Sequence, residues 1–374
     1  MIIDKYIVYV QKKYGEPTIV FDNYNSPSTK DMTHKCRTKG MKGILISFTK
    51  SSYLNVSKDE FLRNSTNKQN FITLLSFELI NAGCKVFHAD NDADYLIVTK
   101  AIESTKKCPT VLIGDDTDLL VLLLYHFDPE THNIIFLPQQ RGSKNRIWSI
   151  SETKKKLDPT VIRHILFLHA ILGCDTTSRL FGIGKGLALK KILTSKDLLE
   201  AAMIFDSENS SHFEIAAAGE KALLAIYGTK SGNSLNLLRY QKFIDKTSTR
   251  LVQINPSTLP PTFSAAKFHS YRVFLQICDW KKENNLMKPE EWGWKFESGE
   301  YVPICMDIPP APQELMKIIR CNCYADCSSR SCTCKKHGIK CSVACGQCRG
   351  TACLNATIIE INDDMFEGEL GENK

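Results

Sequence analysis

The 374-residue chain contains no uninterrupted apolar run near the ~18 residues that would cross a bilayer, which excludes a membrane-spanning helix from its expected architecture. No early stretch reads as a secretory leader either, because the apolar start "MIIDKYIVYVQKK" is interrupted by an acid and a base, Asp4 and Lys5. There is no tandem repeat, so a solenoid or propeller is not expected. Cysteine is sparse everywhere but in one place. Cys36, Cys84, Cys108, Cys174, Cys278 and Cys305 are scattered, and the other nine of the fifteen fall between Cys321 and Cys353. An odd number cannot pair completely with itself, and without a leader the cluster reads as a metal site, not a disulfide framework.

What is present describes an ordinary globular chain. Hydrophobic residues make up 43% and charged residues 24%, enough for a proper core. The length suggests roughly two or three domains. The 48 basic and 41 acidic residues leave a net charge of +7, which leans towards an anionic partner such as nucleic acid.

Hydrophobic patterning predicts strands at 18–22, 84–89, 110–114, 133–138 and 146–150, with helices at 67–83, 92–103 and 117–127 between them. The stretch holding Asp4 looks helical. This alternation argues for an α/β domain with one largely parallel sheet. A strongly apolar helix is predicted over 157–173, with Asp158 as N-cap and Pro159 in its first turn. Helical chain continues to about 246, and the composition turns Pro-rich at 253–263. Residues 251–316, which carry Trp280, Trp292 and Trp294, read as an irregular packed connector. The acidic end, 357–374, reads as a disordered tail.

Three predicted strands end in carboxylates: Asp22 after "TIVF", Asp90, Asp92 and Asp94 after "KVFHA", and Asp115, Asp116 and Asp118 after "TVLIG". Like charges roughly 5 Å apart repel by about 3 kcal/mol at an effective dielectric near 20. An Asp at a strand-to-helix junction can simply cap the helix, and each acid alone has that reading. Three junctions together, two with an Asp-x-Asp pair, point to Mg2+ or Mn2+, hard ions that take oxygen ligands at the carboxyl edge of a parallel sheet. Two such ions about 4 Å apart would hold a phosphodiester and activate water. Downstream, "GCDTTSRLFGIGKG" sets Asp175 before a glycine-rich turn, Gly182 and Gly184. The turn's free N–H groups, with Lys185, Lys190 and Lys191, would grip a phosphate backbone.

These motifs, in this order over roughly residues 16–200, resemble the flap-endonuclease (XPG/PIN-like) nuclease core. The family's "FDG" resembles "FDN" at Asp22, its Glu-Ala-Glu pair resembles Asp92 and Asp94, and its Glu-Asp-x-Asp motif resembles "DDTD" at Asp116 and Asp118. Its Gly-x-Asp-Tyr and Gly-Ile-Gly elements resemble Asp175 and the turn that follows. The resemblance implies a PIN-like parallel sheet carrying those six Asp residues as Mg2+ or Mn2+ ligands. It also implies a helix–two-turn–helix region at about 157–200 that grips duplex DNA through Gly182, Gly184, Lys185, Lys190 and Lys191. The family's first strand, ending in Asp, has no counterpart, and the basic stretch "STKDMTHKCRTKG" matches its catalytic arch only in part.

The cysteines Cys321, Cys323, Cys327, Cys332, Cys334, Cys341, Cys345, Cys348 and Cys353 are spaced at one- to six-residue intervals that suit tetrahedral Zn2+. Twelve bonds to three zincs follow from six terminal and three bridging thiolates. The basic residues Arg320, Arg330, Lys335, Lys336, Lys340 and Arg349 offset the net negative cluster. The segment resembles the CXC domain of tesmin/TSO1-like proteins, which implies zinc, DNA and a nuclear location. It departs at Ser331, where DNA-binding relatives carry Tyr, and Tyr324 lies elsewhere. His164 and His169 read as buried and satisfied, and Lys154–Lys156 as a solvated turn or a localisation fragment. Two functions stay open: a metal-dependent nuclease acting on DNA or RNA, and a non-catalytic DNA or chromatin binder acting through the cysteine module. A third reading is a zinc-stapled cap with no nucleic-acid role.

Overall fold

The computed structural model describes residues 2–33, 43–50, 52–53, 55–90, 92–139, 147–229, 233–249, 255–282, 287–308, 320–324, 326–336, 339–342, 345–350 and 353–356. The expected acidic tail and the end of the basic stretch, 34–40, lie outside them. The chain divides into two units, Met1–Met306 and Asp307–Lys374.

Helix α1 (Ile2–Tyr14) leads into strand β1 (Thr18–Phe21). After short α2 (Lys58–Leu62) comes α3 (Ser65–Asn81), whose cap Asn64 accepts a hydrogen bond from the Asn67 amide. Strand β2 (Lys85–His88) pairs parallel with β1, Thr18 facing Lys85 and Phe21 facing His88. Helix α4 (Asp94–Thr105), strand β3 (Thr110–Ile113), helix α5 (Thr117–His126) and strand β4 (Ile134–Leu137) continue the alternation, with β4 parallel to β3. Strand β5 (Trp148–Ser149) runs antiparallel to β4.

The expected single parallel sheet is not what these strands form. Among the described residues they make two ribbons, β1–β2 and β3–β4–β5. A ladder needs strands about 4.8 Å apart, and none links β1 to β3. Helix α4 packs on both of them and joins the ribbons through side chains. Ile3 of α1 and Leu75 and Leu79 of α3 cover β1–β2, burying Cys84 and packing on Phe21 and Val86.

Ser149 ends β5 and caps α6 (Ile150–Lys156), so Lys154–Lys156 lie in a helix and not a turn. The Lys154 ammonium donates to the Phe127 carbonyl. The predicted helix over 157–173 starts as expected, with Asp158 accepting from the Thr160 amide and Pro159 in the first turn. It is nonetheless broken into α7 (Pro159–Arg163) and α8 (Ile165–Ile171) at His164, which sits at φ −105 and ψ 15. The His164 ring is held 2.6 Å from Asp206, a partner 42 residues away. All seven residues of α8 are buried, as a helix at the centre of a core requires.

Around α8 pack α9 (Lys185–Lys191), α10 (Lys196–Phe205), α11 (His212–Tyr227) and α13 (Phe263–Lys281), with α12 (Leu235–Thr249) between the last two in sequence. Helix α11 opens with a capping box, Ser211 and Glu214. Phe167, Phe205 and Phe274 meet in the middle, and each such buried side chain stabilises the fold by about 1.5–3 kcal/mol. Helix α13 replaces the irregular connector expected at 251–316. Ala266, Val273, Phe274, Ile277 and Trp280 belong to the main core, as does Trp292 beyond it. The hairpin β6 (Trp294–Glu297) and β7 (Glu300–Pro303) follows. Buried Arg272 anchors it, donating to the Gly293 and Ile304 carbonyls. In the second unit the described residues form loops around the cysteines and one short helix, α14 (Thr333–Lys336). Among the described residues no helix is long and apolar enough to cross a membrane.

Candidate functional site

The strand-to-helix junctions deliver their acids to one place. Asp94 is the first residue of α4, and Asp116 caps α5, accepting from the Asp118 amide at 2.9 Å. Both lie where the positive end of a helix favours a carboxylate. One oxygen each from Asp94, Asp116 and Asp118 lie within 4.8 Å of one another. Oxygens on opposite sides of a cation with bonds of about 2.1 Å are roughly 4.2 Å apart, so this all-oxygen donor set fits one hard divalent ion. Burial, against the pull of Lys30, raises the Asp94 pKa to about 7. Asp116 is exposed as a residue, yet the protein crowded around its carboxyl, and then the Asp118 charge, raise its pKa too. Burial pushes the Asp118 carboxyl upward, but the hydrogen bond from His169, at 2.6 Å, and the nearby charges of Lys30 and Lys185 hold it low.

The other three predicted ligands sit around this group with protein partners of their own. Asp22 accepts from the Ala93 amide at 2.9 Å and from the Tyr24 hydroxyl at 2.7 Å, so it caps α4 from another strand. Asp92 faces Lys30, and burial raises its pKa. Asp175 is half-buried and close enough for its charge to act on Asp116. Its carbonyl accepts from the Thr33 hydroxyl. Asp115 anchors the exit of β4 by accepting from the Gln139 amide, and Asp90 is exposed.

Sequence reasoning missed the cation already in this site. The Lys30 ammonium lies 2.7 Å from Asp92 and 2.6 Å from Asp94, and its side chain is only 13% exposed. Burial disfavours its charge, but the two carboxylates prevail and raise its pKa. It was visible only as one base in a basic stretch. Nothing local marks which base turns inward, since its partners lie 62 and 64 residues away.

The glycine-rich turn departs from its expected role at two lysines. Gly182 is exposed with φ +71, Gly184 is the residue before α9, and Lys190 is exposed. Lys191, however, donates to the Ala225 and Ile226 carbonyls in the last turn of α11, where carbonyls run out of i+4 amide partners. Lys185 turns inward to His169. Both ammonium groups are engaged within the chain before any phosphate arrives.

In the second unit the nine cysteines cluster as free thiols, with described sulfur–sulfur distances of 3.4–3.9 Å. Zn–S bonds of about 2.3 Å at tetrahedral angles place sulfurs about 3.8 Å apart, so the spacing fits shared metal ions and is far too long for disulfides. Three quartets capable of holding an ion overlap: Cys321, Cys327, Cys341, Cys348; Cys321, Cys334, Cys341, Cys345; and Cys321, Cys323, Cys327, Cys332. Cys321, Cys327 and Cys341 recur among them, as bridging thiolates would. Cys353 packs at the margin. Asn355, which sequence reasoning did not single out, donates to the Cys341 sulfur at 3.3 Å and accepts from the Cys341 amide. Arg320, Arg330, Lys335, Lys336, Lys340, Arg349 and Tyr324 are exposed.

Comparison of the chain with family models, with curated proteins and with solved structures found no match.

Proposed function

We propose that this chain is a nucleic-acid-binding protein with a divalent-metal-dependent phosphodiesterase site of the flap-endonuclease type, joined to a zinc-binding CXC-like module. The observation that carries the reading is the convergence of Asp94, Asp116 and Asp118 on one point at the ends of strands. Mg2+ or Mn2+ held there supplies Lewis acidity and an activated water. The chain's part is to hold the ion on Asp94, Asp116 and Asp118. Asp22 fixes the start of α4, and Lys30 balances the acids. The cysteine module adds basic surface for DNA, and the protein acts in the nucleus.

A second reading has its own observation. Lys30 already neutralises Asp92 and Asp94, and Asp22 is spent on capping. This is the pattern of an acid site that has exchanged its metal for internal partners, leaving a DNA or chromatin binder. Incubation with a labelled 5′-flap DNA in Mg2+ or Mn2+, beside the Asp116→Asn/Asp118→Asn double variant, separates the two. Cleavage that the variant loses supports the enzyme. Binding without cleavage in either protein supports the tether. Either form of DNA binding should weaken steeply with salt, and a flat dependence counts against both.

A further inference from the structure

Beneath the acid cluster, Asp118 is backed by two side chains, His169 and Lys185, that the proposed function leaves unused. Lys185 Nζ lies 3.0 Å from His169 Nδ1, and His169 Nε2 lies 2.6 Å from Asp118 Oδ1. An ammonium has only donors, so Nδ1 accepts. The imidazole proton then resides on Nε2, which donates to the carboxylate. The His169 and Asp118 side chains are 4% and 6% exposed. The ring is confined on fully buried α8, with the Trp280 ring centroid 5.8 Å away. Asp118 is also held by its own backbone, whose amide donates to Asp116.

We propose that His169 is a positioning residue: by donating to Asp118 Oδ1 it fixes this carboxylate facing Asp94 and Asp116, and Lys185 sets the tautomer that lets it do so. The inference rests on the reading of the acid cluster as a divalent-cation site. A histidine placed only to satisfy a buried carboxylate would leave cation binding unchanged once the fold survives its loss. One that orients a ligand would not, because removing such a partner typically lowers metal affinity by about 10–100-fold. Lys185 is thereby a part of the cation site and not a surface contact for a phosphate backbone.

The test is a Mn2+ titration of the full-length, zinc-loaded chain, following free Mn2+ by electron paramagnetic resonance, in wild type, His169→Phe, His169→Gln and Lys185→Met. His169→Phe should bind Mn2+ roughly 10–100-fold more weakly with unchanged circular dichroism and zinc content. His169→Gln, whose amide both donates and accepts, should recover most of the loss. Lys185→Met should weaken binding while shifting the His169 ring-nitrogen resonances away from the Nε2–H tautomer. A folded His169→Phe or Lys185→Met that binds Mn2+ as tightly as wild type overturns the proposal. Where His169→Phe does not fold, Lys185→Met decides alone. If the wild type binds no Mn2+ that Asp94→Asn removes, the cation reading itself falls, and this inference with it.

Discussion

At the scale of the residue, the molecule is governed by charges placed out of water. Lys30 is the clearest case, because it holds two carboxylates that would otherwise face each other with little solvent. Lys30→Met leaves both unpaired, and breaking a pair this poorly solvated costs about 3 kcal/mol. The variant should therefore melt at a lower temperature than wild type in a chelator, and Mn2+ should restore much of the difference. A melting temperature unchanged by the substitution would rule out the counter-charge role. Proton competition at Asp94, whose pKa is raised to about 7, should weaken Mn2+ binding as pH falls below that value. The same titration at pH 8 and pH 6 reads it directly. His269 works in the opposite sense. Burial drops its pKa from 6.5 to about 4, its Nε2 is bonded to the Ile171 carbonyl, and its Nδ1 has no hydrogen-bond partner among the described residues. Because the folded value is depressed, its stabilisation is complete above pH 6.5 and is lost as pH falls towards 4. The loss reaches about 3 kcal/mol. Urea unfolding at pH 7 and pH 4.5 should show that loss in wild type and a smaller one in His269→Gln.

At the scale of the element, α11 and α13 meet closely at Gly219. A Cβ added at Gly219 would lie 1.8 Å from Ser270 Oγ and 2.6 Å from Ser270 Cβ. Ser270 is fully buried and returns its hydroxyl to the Ala266 carbonyl, so it has nowhere to retreat. Gly219→Ala should destabilise the first unit by about 1–3 kcal/mol through overpacking, although Ala is the better helix former. Pairing it with Ser270→Gly should recover part of that in thermal unfolding, and additive losses would show that the contact is not the cause. Element boundaries were legible where the cause is local. The Asp158 cap with Pro159 and the α5 start at Asp116 are set by residues within a turn of them. The break at His164 was not legible, because its cause is Asp206 on another helix.

At the scale of the whole molecule, the two units owe their order to different physics. The first has an apolar core gathered around α8, and among its described residues the second buries little besides cysteine. Zinc removal should therefore erase amide protection at 320–356 and leave α8, α11 and α13 protected, as hydrogen exchange with and without a strong chelator would record. Equal loss in both units would overturn that division. The sequence by itself determined the α/β alternation, the cysteine cluster with its thiolate spacing, and the carboxylates at strand ends. Each of these is written in residues a few positions apart, where periodicity, capping and ligand chemistry act. Only the tertiary structure decided that the strands form two ribbons joined by α4, that 263–281 is core helix, and that Lys30 and Lys185 turn into the acid site. Those outcomes depend on which distant partners meet, and a buried charge goes to whichever opposite charge the packed chain brings beside it.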